Sequence, residues 1–337
     1  MDEIVARHMQ ALGGREKLNS IHSVVEHLKY REASFVFPNA FVARMRPYYK
    51  TLGDPKITNV EINEGYDGSA WEYHGDPGVV IRVVGAAAAA TRHGTEMFDS
   101  LVDYKALGTR VDLSGVEEFA GRPAYKLHVT LADGFEKELF VDQQSNLIIG
   151  DRRSAPIHAF GEPVRSENHI GHYRPVSGVL SPFSIKEVEI ATGRELNSNT
   201  VQSLEVNKIL DPSFFSPPQY QRTPLQQMLE QLYLERTDPA CVMWTYRGFR
   251  AANPAVDTRS GVESIGYQMV KMGDFQTAIQ LLRANAADYP KSASAQFGVG
   301  RAYNAAGDVK NARIHFQKAL EIDPSFKKAT DGLNALR

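Results

Sequence analysis

Polar and apolar positions alternate between 124 and 131: Tyr125, Leu127, Val129 and Leu131 fall on one side of the chain, Ala124, Lys126, His128 and Thr130 on the other. A period of two predicts a strand with one wet face. Asp133-Gly134 follows, a pair that tolerates positive φ and suits a tight hairpin. Phe135, Lys137, Leu139 and Val141 then line one face of a returning strand, and 143–146 is a polar turn. Asp142, just before it, has a short side chain that can bond nearby backbone. A third strand is expected over 147–152. This antiparallel meander has an oily face that another element must cover.

Upstream, Ile4, Val5, His8, Met9 and Leu12 recur at helical spacing, and Gly13-Gly14 stops that helix. Strands are expected over 23–37, 41–50, 57–64, 70–73 and 78–84, with Pro47 at an edge or bulge. The pattern then changes. Residues 86–90 are all alanine, a strong helix former. Met97, Leu101 and Tyr104 share a face, with Phe98 and Val102 beside them. One helix over 85–107, or two broken near His93-Gly94, is expected to lie across the concave side of the sheet. After the meander, 172–184 carries Pro175, Gly178 and Pro182 and reads as an irregular edge, and 185–207 forms a last hairpin. Roughly ten or eleven strands result, enough to curl into a barrel or part of one.

Pro212, Pro217, Pro218 and Pro224 mark a stiff boundary. Beyond it the period is no longer two. Gly273-Asp274-Phe275 with Ala278 recurs as Gly307-Asp308-Val309 with Ala312, and Pro290 as Pro324, each 34 residues on. That is the period of the tetratricopeptide repeat, a helix–turn–helix unit. Gly266 and Gly300 occupy the small position of the first helix, Ala278 and Ala312 allow close approach, and Leu282 and Phe316 fill the groove. Two units are expected over about 260–324, with 325–337 as a solvating cap helix. Residues 225–252 read as two further helices, with Leu232, Trp244 and Phe249 suited to packing on the first unit. The expected division is 1–218, a linker at 219–224, and a helical-repeat region at 225–337.

Composition narrows the function. The 337 residues are 42% hydrophobic and 23% charged, with a net charge of −2 split as +4 from Gln219 onward and −6 before it. Neither part is basic enough for nucleic acid. Cys241 is the sole cysteine, so an internal disulfide or a cysteine metal cluster is impossible. No apolar run reaches the length of a membrane span, and Met1-Asp2-Glu3 lacks the basic start of a signal peptide. The expectation is a cytosolic protein or a mature form. His169 and His172 are three apart near an irregular strand, which puts their rings on opposite faces and argues for solvated loop histidines. Glu117 and Glu118 are adjacent and point to opposite sides. No nucleophile elbow, phosphate loop or dinucleotide fingerprint occurs, so neither an enzyme nor a cofactor site is expected.

Met45-Arg46-Pro47, the turn at Asp67-Gly68, Trp71 with Tyr73 beyond it, the Gly121-Arg122-Pro123-Ala124-Tyr125 run, Asp133-Gly134 and the closing Val206-Asn207, Phe215 and Pro217 together resemble the LolA/LolB-like lipoprotein-carrier superfamily over about 1–218. The resemblance implies an unclosed antiparallel β-barrel with helices over its concave apolar side, an α+β fold followed here by the all-α repeats. It implies a non-catalytic periplasmic carrier of a lipid or acylated lipoprotein, though a cytoplasmic location stays open. It also implies that Arg46, before the proline, bonds the covering helices and latches the lid. The cavity and lid are expected to use Arg46, Trp71, Met97, Phe98, Leu101 and Val102, Trp71 being either ligand wall or core. Tyr267, Lys271, Phe297 and Arg301 lie on the first helices of the two repeats, the face that by family pattern lines a peptide-binding groove; a solvated helix face is the other reading. An accessory or substrate-recruiting part of a periplasmic hydrolase system is the alternative function.

Overall fold

The computed structural model describes residues 1–32, 35–53, 62–74, 79–156, 163–219 and 221–336. They fall into two compact units, 1–73 with 82–217, and 74–81 with 218–337.

The chain opens with α1 (Asp2–Leu12) and α2 (Arg15–Asn19), separated by Gly13 at φ 128°. Then come β1 (Val24–Glu32), β2 (Val36–Met45), β3 (Tyr48–Leu52), β4 (Ile62–Tyr66), β5 (Ala70–His74) and β6 (Val79–Arg82). Most of the expected strand at 57–64 lies outside the described residues. After α3 (Gly85–His93) come the meander strands β7 (Arg110–Phe119), β8 (Arg122–Thr130), β9 (Glu136–Asp142) and β10 (Ile148–Ala155). β11 (Val164–Gly171), β14 (Ser184–Glu189) and β15 (Glu195–Val206) complete the main sheet, while β12 (Arg174–Val176) and β13 (Val179–Ser181) pair only with each other, in the stretch read as an irregular edge. Among the described residues the main sheet has thirteen strands, in the order β6-β5-β4-β3-β2-β1-β15-β14-β11-β10-β9-β8-β7. Among the described residues the strands at the two ends of that order, β6 and β7, do not pair, so the barrel stays open.

The meander folds as the alternation dictates. Leu127, Val129, Leu131, Leu139 and Val141 form one core with Ile4, Val5, Met9 and Leu12 of α1. Gly134 sits at φ 84° in the β8–β9 turn. The Asp142 carboxylate accepts bonds from the amide (2.9 Å) and hydroxyl (2.6 Å) of Ser145. The opposite face of the meander is less polar than expected: Phe119 and Phe140 stack at 4.3 Å, with the Arg152 guanidinium 4.7 Å from the Phe140 ring. Gly150 makes room, since a Cβ there would stand 2.2 Å from Phe119.

The helix expected over 85–107 ends at His93, and 94–108 runs as turns. The Asp99 carboxylate takes the Leu101 amide at 2.9 Å, and Asp103 adopts φ 57°. Such local side-chain bonds compete with the helix ladder. Burial of Leu101 and Val102 against α1 and the meander outweighs helix propensity.

The second unit contains α4 (Pro224–Leu234), α5 (Pro239–Ala252), α6 (Arg259–Met272), α7 (Phe275–Asp288), α8 (Ala293–Ala305), α9 (Val309–Ile322) and α10 (Lys327–Ala335). The repeat register is visible in the packing: a Cβ on Gly266 would lie 2.7 Å from Leu282, and one on Gly300 would lie 2.5 Å from Phe316. The two glycines, like Leu282 and Phe316, are 34 apart. Leu232 is buried as expected, but Trp244 is 80% exposed and Tyr246 takes its place inside. Val242 and Tyr246, four apart, define the inward face of α5, and Trp244 lies on the other side.

Candidate functional site

The concave face of the sheet encloses a cavity of about 490 Å³ with α3 and residues 96–99 along its mouth. Strand alternation selects its lining. Val24, Glu26, Leu28 and Tyr30 of β1 face it, as do Ala40, Val42 and Arg44 of β2, whereas Phe41, Ala43 and Met45 face the other side.

The wall is in two chemical parts. Leu28, Phe37, Ala40 and Val42 form an apolar patch with Tyr30, Phe35, Tyr49 and Val201. Across β15, β14, β11 and β10, Asn197, Glu187, Asn168 and Asp151 sit opposite one another in a single row. Asn197 Nδ2 donates to Glu187 at 2.6 Å, and Asn168 Nδ2 donates to Asp151 at 3.1 Å. The same row continues onto Leu139 of β9 and Leu127 of β8, which lie in the core under α1. Arg153 stands beside this row, 3.6 Å from Glu187. The expected apolar cavity is thus amphipathic.

Three contacts hold the segment over the mouth. Arg44 Nε donates to the Gly94 carbonyl at 3.1 Å, and its Nη1 donates to Glu26 at 2.9 Å. Gly94 lies so close to the Tyr49 ring that a Cβ there would stand 2.9 Å away. On the other flank, Asp133 of the β8–β9 turn accepts from Arg92 and meets His93 Nε2 at 2.9 Å. Burial pushes the His93 imidazole below its ordinary pKa despite that carboxylate. Third, His8 of α1 is fully buried, with Nδ1 2.8 Å from the Asn146 carbonyl and Nε2 3.0 Å from Asp99. Both ring nitrogens face acceptors, an arrangement suited to imidazolium. Burial alone would lower the His8 pKa, but the charge of Asp99 and its hydrogen bond outweigh that and raise it. His8 in turn helps hold Asp99 below the usual carboxylate range, against the burial of that carboxyl.

The structure redistributes the residues named from the sequence. Met97 and Phe98 line the cavity. Leu101 and Val102 do not; they are buried in the core between α1 and the meander. Trp71 is fully buried outside the cavity lining, its Nε1 donating to the Phe215 carbonyl at 2.9 Å, so it serves as core. Arg46 is exposed on the β2–β3 turn, and Arg44 makes the contact expected of it. The physical reason is where the strand stops: β2 ends at Met45, Arg44 shares the inward face with Val42, and Arg46, which a longer strand would put on that same face, falls in the turn beyond the last paired residues. Glu26, Arg44, Asp151, Arg153 and Glu187 were missed. The signal was present, since charged residues occupy inward positions of strands that are otherwise apolar on that side.

In the second unit Tyr267, Lys271, Phe297 and Arg301 do come together on α6 and α8. The Arg301 guanidinium lies 3.8 Å and the Lys271 ammonium 5.1 Å from the Tyr267 ring centroid, and Arg301 lies 5.7 Å from that of Phe297. Tyr267 is only 9% exposed, and Phe297 leans on Phe316 and Phe326 at 5.5 and 5.6 Å. Of the aromatics expected on an open face, Tyr267 is covered and Phe297 is half-buried, while Lys271 is exposed and Arg301 half-buried beside them. His169, expected in a loop, lies on β11, 2.9 Å from Glu167 and packed on Phe119. Among the described residues no group of three or more His, Cys, Asp or Glu side chains could hold a metal ion, and no helix is long and apolar enough to cross a membrane.

No curated protein matches the chain in sequence. Solved structures similar to it over about two thirds of the chain include lipoprotein-sorting and LolA-superfamily domains. A lipoprotein-sorting protein domain from Vibrio parahaemolyticus is 11% identical, with a TM-score of 0.44, over 63% of this chain and 94% of that one. A LolA superfamily protein from Nitrosomonas europaea is 10% identical, with a TM-score of 0.44, over 64% and 97%. A DUF1329 family protein from Desulfovibrio piger is 9% identical, with a TM-score of 0.40, over 64% and 96%. Among family models, the tetratricopeptide repeat matches residues 269–325, from the end of α6 to the turn before α10.

Proposed function

We propose that residues 1–218 form a non-catalytic carrier that holds the aliphatic chain of a lipid or acylated lipoprotein in the half-barrel cavity, and that the repeat region at 225–337 binds a peptide or protein partner. The single observation that carries the reading is the cavity itself. Its volume of about 490 Å³ is in the range of roughly 300–1,000 Å³ found for small-molecule sites. One wall is aliphatic and aromatic, and each methylene transferred there from water contributes about 0.8 kcal/mol. The segment over the mouth is held by the polar contacts of Arg44, Asp133 and His8 as well as by apolar packing, and Met97 and Phe98, which are only partly buried, suit a lid that exchanges their contacts for ligand. The periplasm is the location proposed, from the motif resemblance.

Native mass spectrometry of protein purified from cells tests the carrier reading. A co-purified lipid, displaced by added long-chain alcohol, is expected. A ligand-free protein that also fails to bind an uncharged long-chain probe defeats it. For the repeat region, Lys271→Ala with Arg301→Ala should abolish capture of the partner. Undiminished capture by the double variant would remove the α6–α8 face from the interface.

A further inference from the structure

The excess positive charge of the second unit is concentrated on α5, α7 and α9, the second helix of each successive pair. These three helices hold six lysines and arginines and two carboxylates, Asp288 and Glu321. Asp288 is taken by Arg250 at 3.1 Å. That leaves five cations, Arg247, Arg283, Lys310, Arg313 and Lys318, all exposed, against Glu321. Lys310 acts on Asp308 at the start of α9. Among the described residues the other four meet no carboxylate within ion-pair distance.

The repeat register puts these groups on one face. Val242, Ala278 and Ala312 point inward from the three helices, as do Tyr246, Leu282 and Phe316 four residues later. Two residues after the first set, on the opposite side of each helix, stand Trp244, Gln280 and Ile314. Three further on stand Arg247, Arg283 and Gln317, with Lys318 next to the last. All are exposed, Trp244 by 80% and Ile314 by 38%. The helices are neighbours. The Tyr246 hydroxyl of α5 donates to Asp288 of α7 at 2.7 Å. Burial, then Lys318 and Arg283, lower the pKa of His315 on α9 to about 4, so Arg283 of α7 lies close to α9 and the imidazole adds no charge at neutral pH.

Two properties of this face select its occupant. Its charges are spread over three helices rather than converging on one point, which fits an extended anionic surface and not a single bound anion. Bulky apolar side chains alternate with them. An exposed tryptophan suits the headgroup region of a bilayer, where its ring is shielded from water and its N–H still finds acceptors. Long lysine and arginine stems can lie on apolar ground while their charges reach phosphate.

We propose that the face made by α5, α7 and α9 docks on a membrane of anionic lipid, with Trp244 and Ile314 at headgroup level and Arg247, Arg283, Arg313 and Lys318 against the phosphates. This goes beyond the carrier reading and does not depend on it.

The test sediments the full chain with phosphatidylcholine vesicles, with or without about one third phosphatidylglycerol. A cation near an anionic surface contributes about fivefold, so binding to the anionic vesicles should exceed binding to the zwitterionic ones by about a hundredfold. It should fall away at about 0.5 M salt. Arg247→Gln with Arg283→Gln should weaken it by about twentyfold, and Arg313→Gln with Lys318→Gln should do the same, with circular dichroism reporting that both variants fold. Trp71, the other tryptophan, is fully buried, so protection from aqueous acrylamide on binding reports Trp244. Binding that ignores lipid charge, double variants that bind like the wild type, or a Trp244 still quenched on the vesicle overturns the inference. Absence of binding to the anionic vesicles overturns it too, and capture by polyglutamate would then assign the face to an acidic protein. The carrier reading is untouched by these outcomes, since lipid retained through purification tests it separately.

Discussion

Arg44 is the side chain whose removal is most informative. Arg44→Leu keeps the bulk of the inward position on β2 and deletes two interactions at once. The bond to the Gly94 carbonyl involves an ionised donor, worth about 1.5–3 kcal/mol. Glu26 is also left without its partner. Breaking a buried ion pair costs about 3–5 kcal/mol, and the lower end applies here because Arg44 and Glu26 keep 23% and 17% side-chain exposure. The two losses read out differently. The first loosens only α3, which stays docked through Asp133, and should speed amide exchange in its last turn by about ten- to a hundredfold, since 1.4 kcal/mol is a factor of ten. The second lowers the global stability of the unit by about 3 kcal/mol, seen as a lower urea midpoint. Adding Glu26→Leu separates them. Replacing both partners of a buried pair by apolar residues is often neutral, so the double variant should recover most of the urea midpoint while exchange in α3 stays fast. If α3 keeps wild-type protection in Arg44→Leu, or regains it in the double variant, Arg44 is an internal ion pair and does not hold the lid.

Three further outcomes are expected. The His8–Asp99 contact should make the first unit pH-sensitive. The raised His8 pKa gives stability that is complete below its unfolded value of about 6.5 and is lost as pH rises through the folded value, while the lowered Asp99 pKa gives stability lost only as pH falls below its unfolded value of about 3.9. Melting temperature should therefore fall from about pH 6 towards pH 9, and His8→Gln should flatten that slope; an unchanged slope in the variant would count against the pair. In the repeats, Gly300→Ala should destabilise by about 1–3 kcal/mol through overpacking on Phe316, whereas Gly298→Ala, whose Cβ would meet Leu282 at an ordinary 3.7 Å, should stabilise by up to about 1 kcal/mol; equal urea midpoints would contradict the packing. Limited proteolysis should cut between 208 and 224 and leave two stable fragments, and cleavage spread evenly along the chain would argue against separate domains.

Periodicity alone determined the elements whose environment is uniform along their length. The β8–β9 hairpin shows this, because Tyr125, Leu127, Val129 and Leu131 on one strand and Leu139 and Val141 on the other meet the same core. So do the repeats: a 34-residue spacing of Gly266 and Gly300 against Leu282 and Phe316 is a contact pattern written directly in the chain. The segment after His93 was not legible. Its apolar residues satisfy a helical stripe, yet the Asp99 side chain and the burial of Leu101 and Val102 decide its path, and both depend on α1, some ninety residues away in sequence. The site was lost for a related reason. A motif pointed to Arg46, but which arginine faces inward is set by where β2 stops pairing, a matter of register that only the assembled sheet fixes. The polar row of Asn197, Glu187, Asn168 and Asp151 comes from four strands spread over nearly fifty residues. Each is an unremarkable polar residue on its own strand. Cross-strand pairing alone lines them up on one concave wall, and that alignment gives the cavity its charge.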